Sequence, residues 1–399
     1  MLKALLAIPA LSGRDSNPDP VEPRQPRLTV LVSSTQRRGA EVFGERLASG
    51  LAGYGWTTEL LALTGSADPL VASVAARPLS RRPAGGLGRL DRNIVRSLRS
   101  HLRRSEADVL LAYGSSTLQY SVAATRFLGG RPALAYASIG EPLYWARRPH
   151  QRLAYGSLLK MVDLVLSVST TTARQLSSGL GVPAKKVRAV HTGVPKELLD
   201  LAPAPNDGDL RILFMGSFAR EKDPMTVIEV FGRLAATVGA RLRMVGAGPL
   251  ENALRTRIAE LGLIDRVEMT GSVEDVAPHL AWAEVLVLTS LTEGLPAATL
   301  EAAAAGAAVV AFDVGGVGET MIDQVSGRLI KPGDVDGMVA ALSFYAANPE
   351  ARQKAGQAGR TLVAEKFTIE ESVRHHDVVL RELLARVGRQ RIRWKRRSR

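Results

Sequence analysis

At 399 residues the chain is too long for one compact core and comfortable for two domains of ordinary size. Its 46% hydrophobic and 23% charged residues are those of a globular protein, and no run of about 18 apolar residues is present to span a bilayer. Cysteine is absent, which excludes a disulfide framework, a thiolate nucleophile and Cys-ligated zinc or iron–sulfur centres, fits a cytoplasmic location, and leaves the chemistry to carboxylates, Lys, Arg, His and backbone.

The opening MLKALLAIPALSG has one Lys and a short apolar run broken by Pro9, a poor secretory signal. RDSNPDPVEPRQPR follows, rich in proline and charge, so residues 1–26 read as a flexible leader, with the fold starting near Leu28. Residues 27–195 then alternate β-rich runs with helical stretches: LTVLVSS and a helix from Ala40, TTELLAL, ADVLLAY and a helix, PALAYAS, DLVLSVS and TTTARQLSS, then VRAVH. Such alternation specifies a parallel sheet with helices on both faces.

Within this half, residues 81–104 hold eight Arg and one Asp. Arg89, Arg92, Arg96, Arg99 and Arg103 recur at helical steps, with Leu87, Leu90, Ile94, Leu98 and Leu102 on the opposite face. A helix lying on a sheet with a solvated polar face explains the pattern. So does an anionic membrane surface, towards which each nearby base contributes about 1 kcal/mol. Nucleic acid demands similar charge, but no reader motif accompanies it and none is expected as a partner.

A break at LAPAPNDGD lies in a linker over 196–209, and the alternation resumes over 210–367 with RILFMGS, RLRMVGAG, RVEMTGS, EVLVLTS and AVVAFDV. The expected fold class is therefore α/β, two similar Rossmann-like parallel-sheet domains in tandem. The loops QRRGAE at 36–41 and GSFAREKD at 216–223 each join a first strand to a first helix, and ligands of open parallel sheets bind at such carboxyl ends.

LTEGLP follows the strand EVLVLTS and precedes the helical run PAATLEAAAAG, with Pro296 suited to the first turn. Glu293 then sits beside the free N–H groups of Gly294, Leu295 and the helix start, a mixed donor and acceptor array suited to vicinal hydroxyls. Glu301, two turns on, can accept two hydrogen bonds from adjacent hydroxyls, as an acidic residue does on a ribose in dinucleotide folds. For any isolated pair of Glu, a local cap and a solvated loop acid are the plainer explanation.

EGLPAATLEAAAAGAAVVAFDVGGVGE resembles the signature of the family-4 retaining GT-B glycosyltransferases, whose hallmark is Glu, seven residues, Glu. Similarity continues through GSFAREKDP, MVGAGPLE, MTGSV and SGRLIKPGD, and more weakly through RRGAEVFGERLASGLAGYG and VRAVHTGVP. The resemblance implies a nucleoside diphosphate sugar held by the second domain. Glu301 would take the ribose, and Glu293 with the backbone of Gly294, Leu295 and Pro296 the sugar; the nucleobase would be read by backbone near MTGSV, around Val273. The first domain would hold the acceptor, facing the second across a cleft.

The resemblance also implies an Arg just after Gly216 and a Lys five residues further on, both on the diphosphate. Lys222 matches, but Ser217 stands where the Arg is expected. Arg220 either replaces it or is a surface Arg. Gly39 would admit a close phosphate approach or make a plain turn, and Gly246 and Gly248 would do the same or pack. A second departure is ASIGEPLYW, where relatives often carry a His-containing loop; Glu141 is offered instead, as a polar partner of donor or acceptor or, as favoured here, a turn residue before Pro142.

No metal is expected: Asp334 and Asp336 in GDVDG have magnesium-clamp spacing, but an N-cap Asp is sufficient, and His375 and His376 on one helix face different ways. No cofactor is expected either. Residues 368–387 read as a closing helix with Ile369, Val373, Val378, Leu380 and Leu384 as burial candidates, which in GT-B relatives returns to the first domain. Residues 388–399 form a basic tail, in which Arg389 to Arg399 would meet the same anionic surface. Residues 81–104 carry +7 and residues 386–399 carry +8 of a net +13, so the rest of the chain is near −2.

These features predict a retaining, metal-independent hexosyltransferase acting from a UDP or GDP sugar on a hydroxyl acceptor, lipid-linked or of the cell envelope, at the inner face of a membrane. Lys222 and Glu293 are the expected catalytic residues. The alternatives are a catalytically weak nucleotide-sugar-binding scaffold, motivated by Ser217 and the missing His, and a sugar-nucleotide epimerase or phosphorylase on similar domains.

Overall fold

The structure is a computed structural model and describes residues 24–36, 39–65, 75–81, 84, 89–126, 128, 130–205 and 208–397. Most of the expected leader, Leu87 and the last two residues of the basic tail lie outside these.

The first half is a parallel sheet of seven strands, β1 (Arg27–Ser34), β2 (Thr57–Thr64), β3 (Arg77–Pro78), β4 (Val109–Tyr113), β5 (Ala133–Ser138), β6 (Leu164–Ser167) and β7 (Val187–Ala189), in the order β3-β2-β1-β4-β5-β6-β7. Its helices are α1 (Gly39–Gly53), α2 (Arg92–Ser105), α3 (Ser115–Thr125), α4 (Pro142–Trp145), α5 (Pro149–Lys160) and α6 (Thr170–Arg174). The second half repeats the plan with six strands, β8 (Leu210–Met215), β9 (Ala240–Val245), β10 (Val267–Gly271), β11 (Val285–Leu288), β12 (Ala308–Phe312) and β13 (Gly327–Ile330), in the order β10-β9-β8-β11-β12-β13. Helices α7 (Pro224–Ala235), α8 (Glu251–Glu260), α9 (Ala277–Trp282), α10 (Ala297–Ala304), α11 (Val335–Ala347) and α12 (Pro349–Lys366) cover it, and α13 (Ile369–Arg397) ends the description.

Apolar runs such as VLVL and AVVAF are buried along their whole length because both faces of a parallel sheet are covered. Alternate residues serve different layers: Leu110 and Ala112 of β4 join the α2 and α3 side, while Val109, Leu111 and Tyr113 join the side of α1 and α13. In both sheets the first strand lies centrally and the order reverses beside it, between β1 and β4 and between β8 and β11. At such a reversal the loops diverge and leave a crevice.

Helix α13 packs back on the first sheet, with Val373, Leu380 and Leu383 in its core and Trp56 Nε1 donating to Asp377 Oδ1 at 2.6 Å. Ile369 and Leu384 are partly buried, but Val378 is 46% exposed, against expectation. Leu383 and His376 take the inward positions, because helical phase places 373, 376, 380 and 383 on one stripe. The helix continues to Arg397, so its backbone runs through most of the expected tail. Arg24, placed in the leader by sequence, pairs with Glu106 and Asp108 at 3.2 and 3.0 Å, so the chain is docked before β1 begins.

The basic helix α2 starts at Arg92 with the Asp91 side chain accepting from Asn93 N, which leaves Arg89 ahead of it. Ile94, Leu98 and Leu102 are buried as expected, whereas Leu90 is 44% exposed. Arg92, Arg96 and Arg103 are exposed; Arg99 instead donates to the carbonyls of Ala123 and Ala124, at the end of α3.

Candidate functional site at the crevice of the second sheet

The loops after β8 and β11 meet at the order reversal of the second sheet. Lys222, in a single 3-10 turn after β8, places Nζ 2.6 Å from Glu293 Oε1, and Ser290 Oγ is 2.7 Å from the same oxygen. Glu293 is only 6% exposed, so its charge is carried by this ammonium and hydroxyl rather than by water. Thr289 Oγ1 donates to the Asp223 carbonyl at 2.8 Å, and Leu291 N to the Glu221 carbonyl at 2.9 Å, so the two loops are tied to each other.

Gly216 is half-buried at the end of β8, while Ser217 and Arg220 are exposed, and the Arg220 guanidinium has no partner among the described residues. Gly246 is a packing position: φ is +148° and an added Cβ would lie 1.9 Å from the Gly216 carbonyl oxygen. Val273 is half-buried in the loop after β10 and packs on the core around Leu288 and Leu295. Gly39 begins α1 with open space beside it, so no close contact within the protein demands glycine there.

Glu293, Gly294, Leu295 and Pro296 are all buried. Pro296 occupies the N-cap of α10 rather than its first turn, with φ −71° and ψ 119°. The loop is gripped from both sides: a Cβ on Gly294 would fall 2.0 Å from the Ile139 carbonyl oxygen of the first domain, and one on Gly315, at φ +53°, 1.8 Å from that of Glu293. The glycines of GGVGE are therefore what let the Glu293 loop lie between β12 and the first domain.

Glu301 lies in α10, two turns along, partly exposed and with no hydrogen-bonded partner among the described residues. Burial pushes its carboxyl up from the ordinary value, while the charge of Arg46, on α1 of the first domain, draws it down. Glu141 does more than turn the chain before Pro142. Its Oε1 accepts from Gln175 Nε2 at 2.6 Å and its Oε2 from Thr292 Oγ1 at 2.7 Å, so it links the first domain to the residue beside Glu293.

Glu319 was given no role by the sequence reading. It follows β12, and its carboxylate crosses the cleft to the backbone amides of Thr170 and Thr171, both at 2.8 Å, with His191 Nε2 at 3.1 Å. Burial alone would raise its pKa, but the hydrogen bonds from His191, Thr170 and Thr171 outweigh burial and hold the carboxyl well below the usual range. The sequence signal for it is the carboxylate that ends the DVGGVGE segment.

Asp334 accepts from Gly337 N at 2.8 Å as the N-cap of α11, and Asp336 pairs with Arg233 at 2.8 Å, so the D-x-D spacing serves a helix start and an ion pair. A cavity at the amino ends of β8 to β10 is lined by Arg211, Arg241, Arg243 and Arg266, at the opposite end of the sheet from the Glu293 loop. Carbonyls and the carboxylates of Asp209 and Glu268 occupy those guanidinium groups.

Residues 196–362 match the family Glycosyl transferases group 1, and residues 37–198 match Glycosyltransferase Family 4. Among curated proteins, the chain is 27% identical over 256 residues to the MMP alpha-(1->4)-mannosyltransferase of Mycolicibacterium hassiacum, covering 61% of each chain. It is 28% identical over 256 residues to the GDP-mannose-dependent alpha-(1-6)-phosphatidylinositol monomannoside mannosyltransferase of Mycolicibacterium smegmatis, covering 59% of this chain and 66% of that one. The matched region spans about half to two-thirds of the length of most such relatives.

Among solved structures, sucrose-phosphate synthase from Thermosynechococcus elongatus superposes with a TM-score of 0.76 at 18% identity, covering 90% of this chain and 99% of that one. Anabaena Alr3699/HepE in complex with UDP and glucose gives 0.74 at 17%, covering 89% and 99%. At these identities the likeness is one of fold. With both domains matched and the paired sheets in place, the chain belongs to the group 1, family-4 glycosyltransferases of GT-B fold.

Proposed function

We propose that the protein is a retaining glycosyltransferase that moves a hexosyl group from a nucleoside diphosphate sugar, of UDP or GDP type, to a hydroxyl acceptor. The observation that carries this reading is the Lys222–Glu293 pair at the order reversal of the second sheet, with the unpaired carboxylate of Glu301 two turns along α10. A bound donor offers a better partner to each group. The diphosphate takes the Lys222 ammonium, the sugar hydroxyls take Glu293, and the ribose diol takes Glu301. The diphosphate-carrying relatives support the donor class, GDP-mannose by name in one and UDP in the other.

In the proposed step the bond between the anomeric carbon and the leaving phosphate oxygen breaks as the acceptor oxygen bonds to the same face of that carbon. The leaving diphosphate takes the acceptor proton. Negative charge grows on the departing oxygens, and Lys222, with Arg220 if the donor draws it in, stabilises that charge without reorganisation of solvent. No metal is assigned a part, since Lys222 supplies the cation and the D-x-D carboxylates are committed to the start of α11. The exposed Arg92, Arg96 and Arg103 of α2 and the basic end of α13 support an acceptor presented at an anionic membrane surface, lipid-linked or of the envelope, from the cytoplasmic side. Among the described residues no helix is long and apolar enough to cross the membrane.

A thermal-shift screen of UDP, GDP and ADP sugars on the wild type and on Glu301→Ala tests the reading, because a ligand that binds only the native state raises its melting temperature. One donor should stabilise the wild type and not the variant. If no donor shifts the wild type, the donor-site reading fails. The exposed Ser217, in the place of an expected Arg, favours one rival, a nucleotide-sugar-binding scaffold; tight donor binding without hydrolysis or transfer identifies it.

A further inference from the structure

The two domains touch through polar contacts at Thr292 and at Glu319, and the second is chemically unlike the first. Thr292 meets Glu141 through a single hydroxyl. Glu319 instead brings an ionised carboxylate from the second domain to two backbone amides of the first, Thr170 N at 2.8 Å and Thr171 N at 2.8 Å. Both of its oxygens are used. Amides at the start of α6 have no partner within the helix, so the carboxylate satisfies donors that would otherwise face the cleft. Charge-assisted bonds of this kind are about twice as strong as neutral ones.

The same carboxylate also reaches His191, in the segment where the chain passes from the first domain to the second. That segment is tied to the return crossing, since Val194 N donates to the Phe367 carbonyl at 2.8 Å and Ile369 N to the Val194 carbonyl at 2.9 Å. Glu319 therefore joins three pieces that must change relation when the cleft opens: the loop after β12, the α6 start and the crossing. Gly316 makes the approach feasible, because a Cβ there would lie 2.8 Å from Ser169 Cβ.

We propose that Glu319 is a positioning residue whose carboxylate clasps the two domains shut, and that this closure seats Thr292 on Glu141 and so fixes the loop carrying Glu293. It differs from the donor-binding groups in making its contacts entirely within the protein. Its loss opens the cleft rather than removing a ligand contact.

The test reads the distance between the domains. Native cysteine is absent, so spin labels can be placed on exposed positions through Lys185→Cys in the first domain and Asn252→Cys in the second without background. Pulsed electron resonance on this doubly labelled chain should give one dominant distance. Adding Glu319→Gln keeps the side-chain shape and removes the charge, and should lower the closed-to-open ratio about tenfold or more. A second variant acts from the other side of the cleft. Thr170→Pro deletes one amide at the first helical position, where proline is favoured, and Ser169 before it is already extended at φ −145° and ψ 159°.

Both variants should broaden and lengthen the distance distribution while circular dichroism still reports a folded chain. Wild-type distributions in both folded variants overturn the proposal. A shift in Glu319→Gln alone also overturns it, since the amide contact would then not be the clasp. The measurement needs no donor, so its outcome leaves the donor assignment to be judged separately.

Discussion

Lys222 and Glu293 are each the other's main counter-charge, and their separation of 2.6 Å makes the pair a resting arrangement that a donor must enter. Removing the ammonium leaves Glu293 held by Ser290 alone, and leaves the departing diphosphate without its cation. Lys222→Met should therefore lower kcat by about 10²–10³, measured as transfer or donor hydrolysis once the donor is known. Because the variant leaves the buried Glu293 carboxylate with Ser290 alone, circular dichroism should confirm a folded chain before kcat is compared. A kcat within a few-fold of wild type would take Lys222 out of the reacting site. Both residues were legible in the sequence as polar groups in loops after strands, and the resemblance proposed their roles; their pairing with each other was not legible. Glu319 was not readable in the same way. Two of its partners are backbone amides 149 and 148 residues away, and any residue type but proline at 170 and 171 would supply them.

At the scale of elements, the central strands announce themselves as uninterrupted apolar runs, because a parallel sheet buries both faces. The elements that escaped are those that bury little or bury it differently. Strand β3 is two exposed edge residues, and β13 is only partly covered. Helix α12 packs through Ala355, Gly356 and Gly359 as well as Leu362 and Val363, so close backbone approach replaces the large apolar stripe that periodicity detects. Helix α13 was readable in outline and misphased in detail, and its correct phase carries a pH prediction. His376 lies on the buried stripe beside Phe43, with Nδ1 donating to the Ser372 carbonyl at 2.8 Å. Burial first, and His375 to a lesser degree, lowers its pKa from 6.5 to about 4, against the opposing pull of the Ser372 carbonyl.

The unfolded chain thus takes up a proton near pH 6.5 that the folded chain refuses until about pH 4, so stability falls as pH drops through that window. The full loss is about 3 kcal/mol for one such site. Denaturant midpoints measured from pH 7 to 4 should show it, and His376→Phe, which keeps a ring against Phe43, should flatten that part of the profile. A profile in the variant parallel to the wild type would remove His376 as the cause.

For the molecule as a whole, the distribution of charge follows the chain path. Helix α2 belongs to the first sheet, and α13 crosses back to the same sheet before running on into its basic end. Arg92, Arg96 and Arg103 are exposed while Arg99 is engaged by α3, so the α2 contribution to any surface rests on fewer bases than the sequence count suggests. Excess positive charge nonetheless accumulates on the first domain, where residues 27–195 hold 23 Lys and Arg against 9 Asp and Glu, whereas residues 210–367 of the second hold 15 against 19. A protein built this way should bind anionic bilayers with its donor loops free. Vesicles containing about a third phosphatidylserine should retain it at low salt and release it as ionic strength rises towards 0.5 M, where the screening length falls to about 4 Å. Removing residues 389–399 should weaken retention, and Arg92→Glu with Arg96→Glu should weaken it further without altering donor-induced thermal stabilisation. Neutral vesicles should retain none. If anionic vesicles fail to hold the intact chain at low salt, the exposed bases of α2 are only a solvated helix face, and the acceptor must reach the cleft from solution.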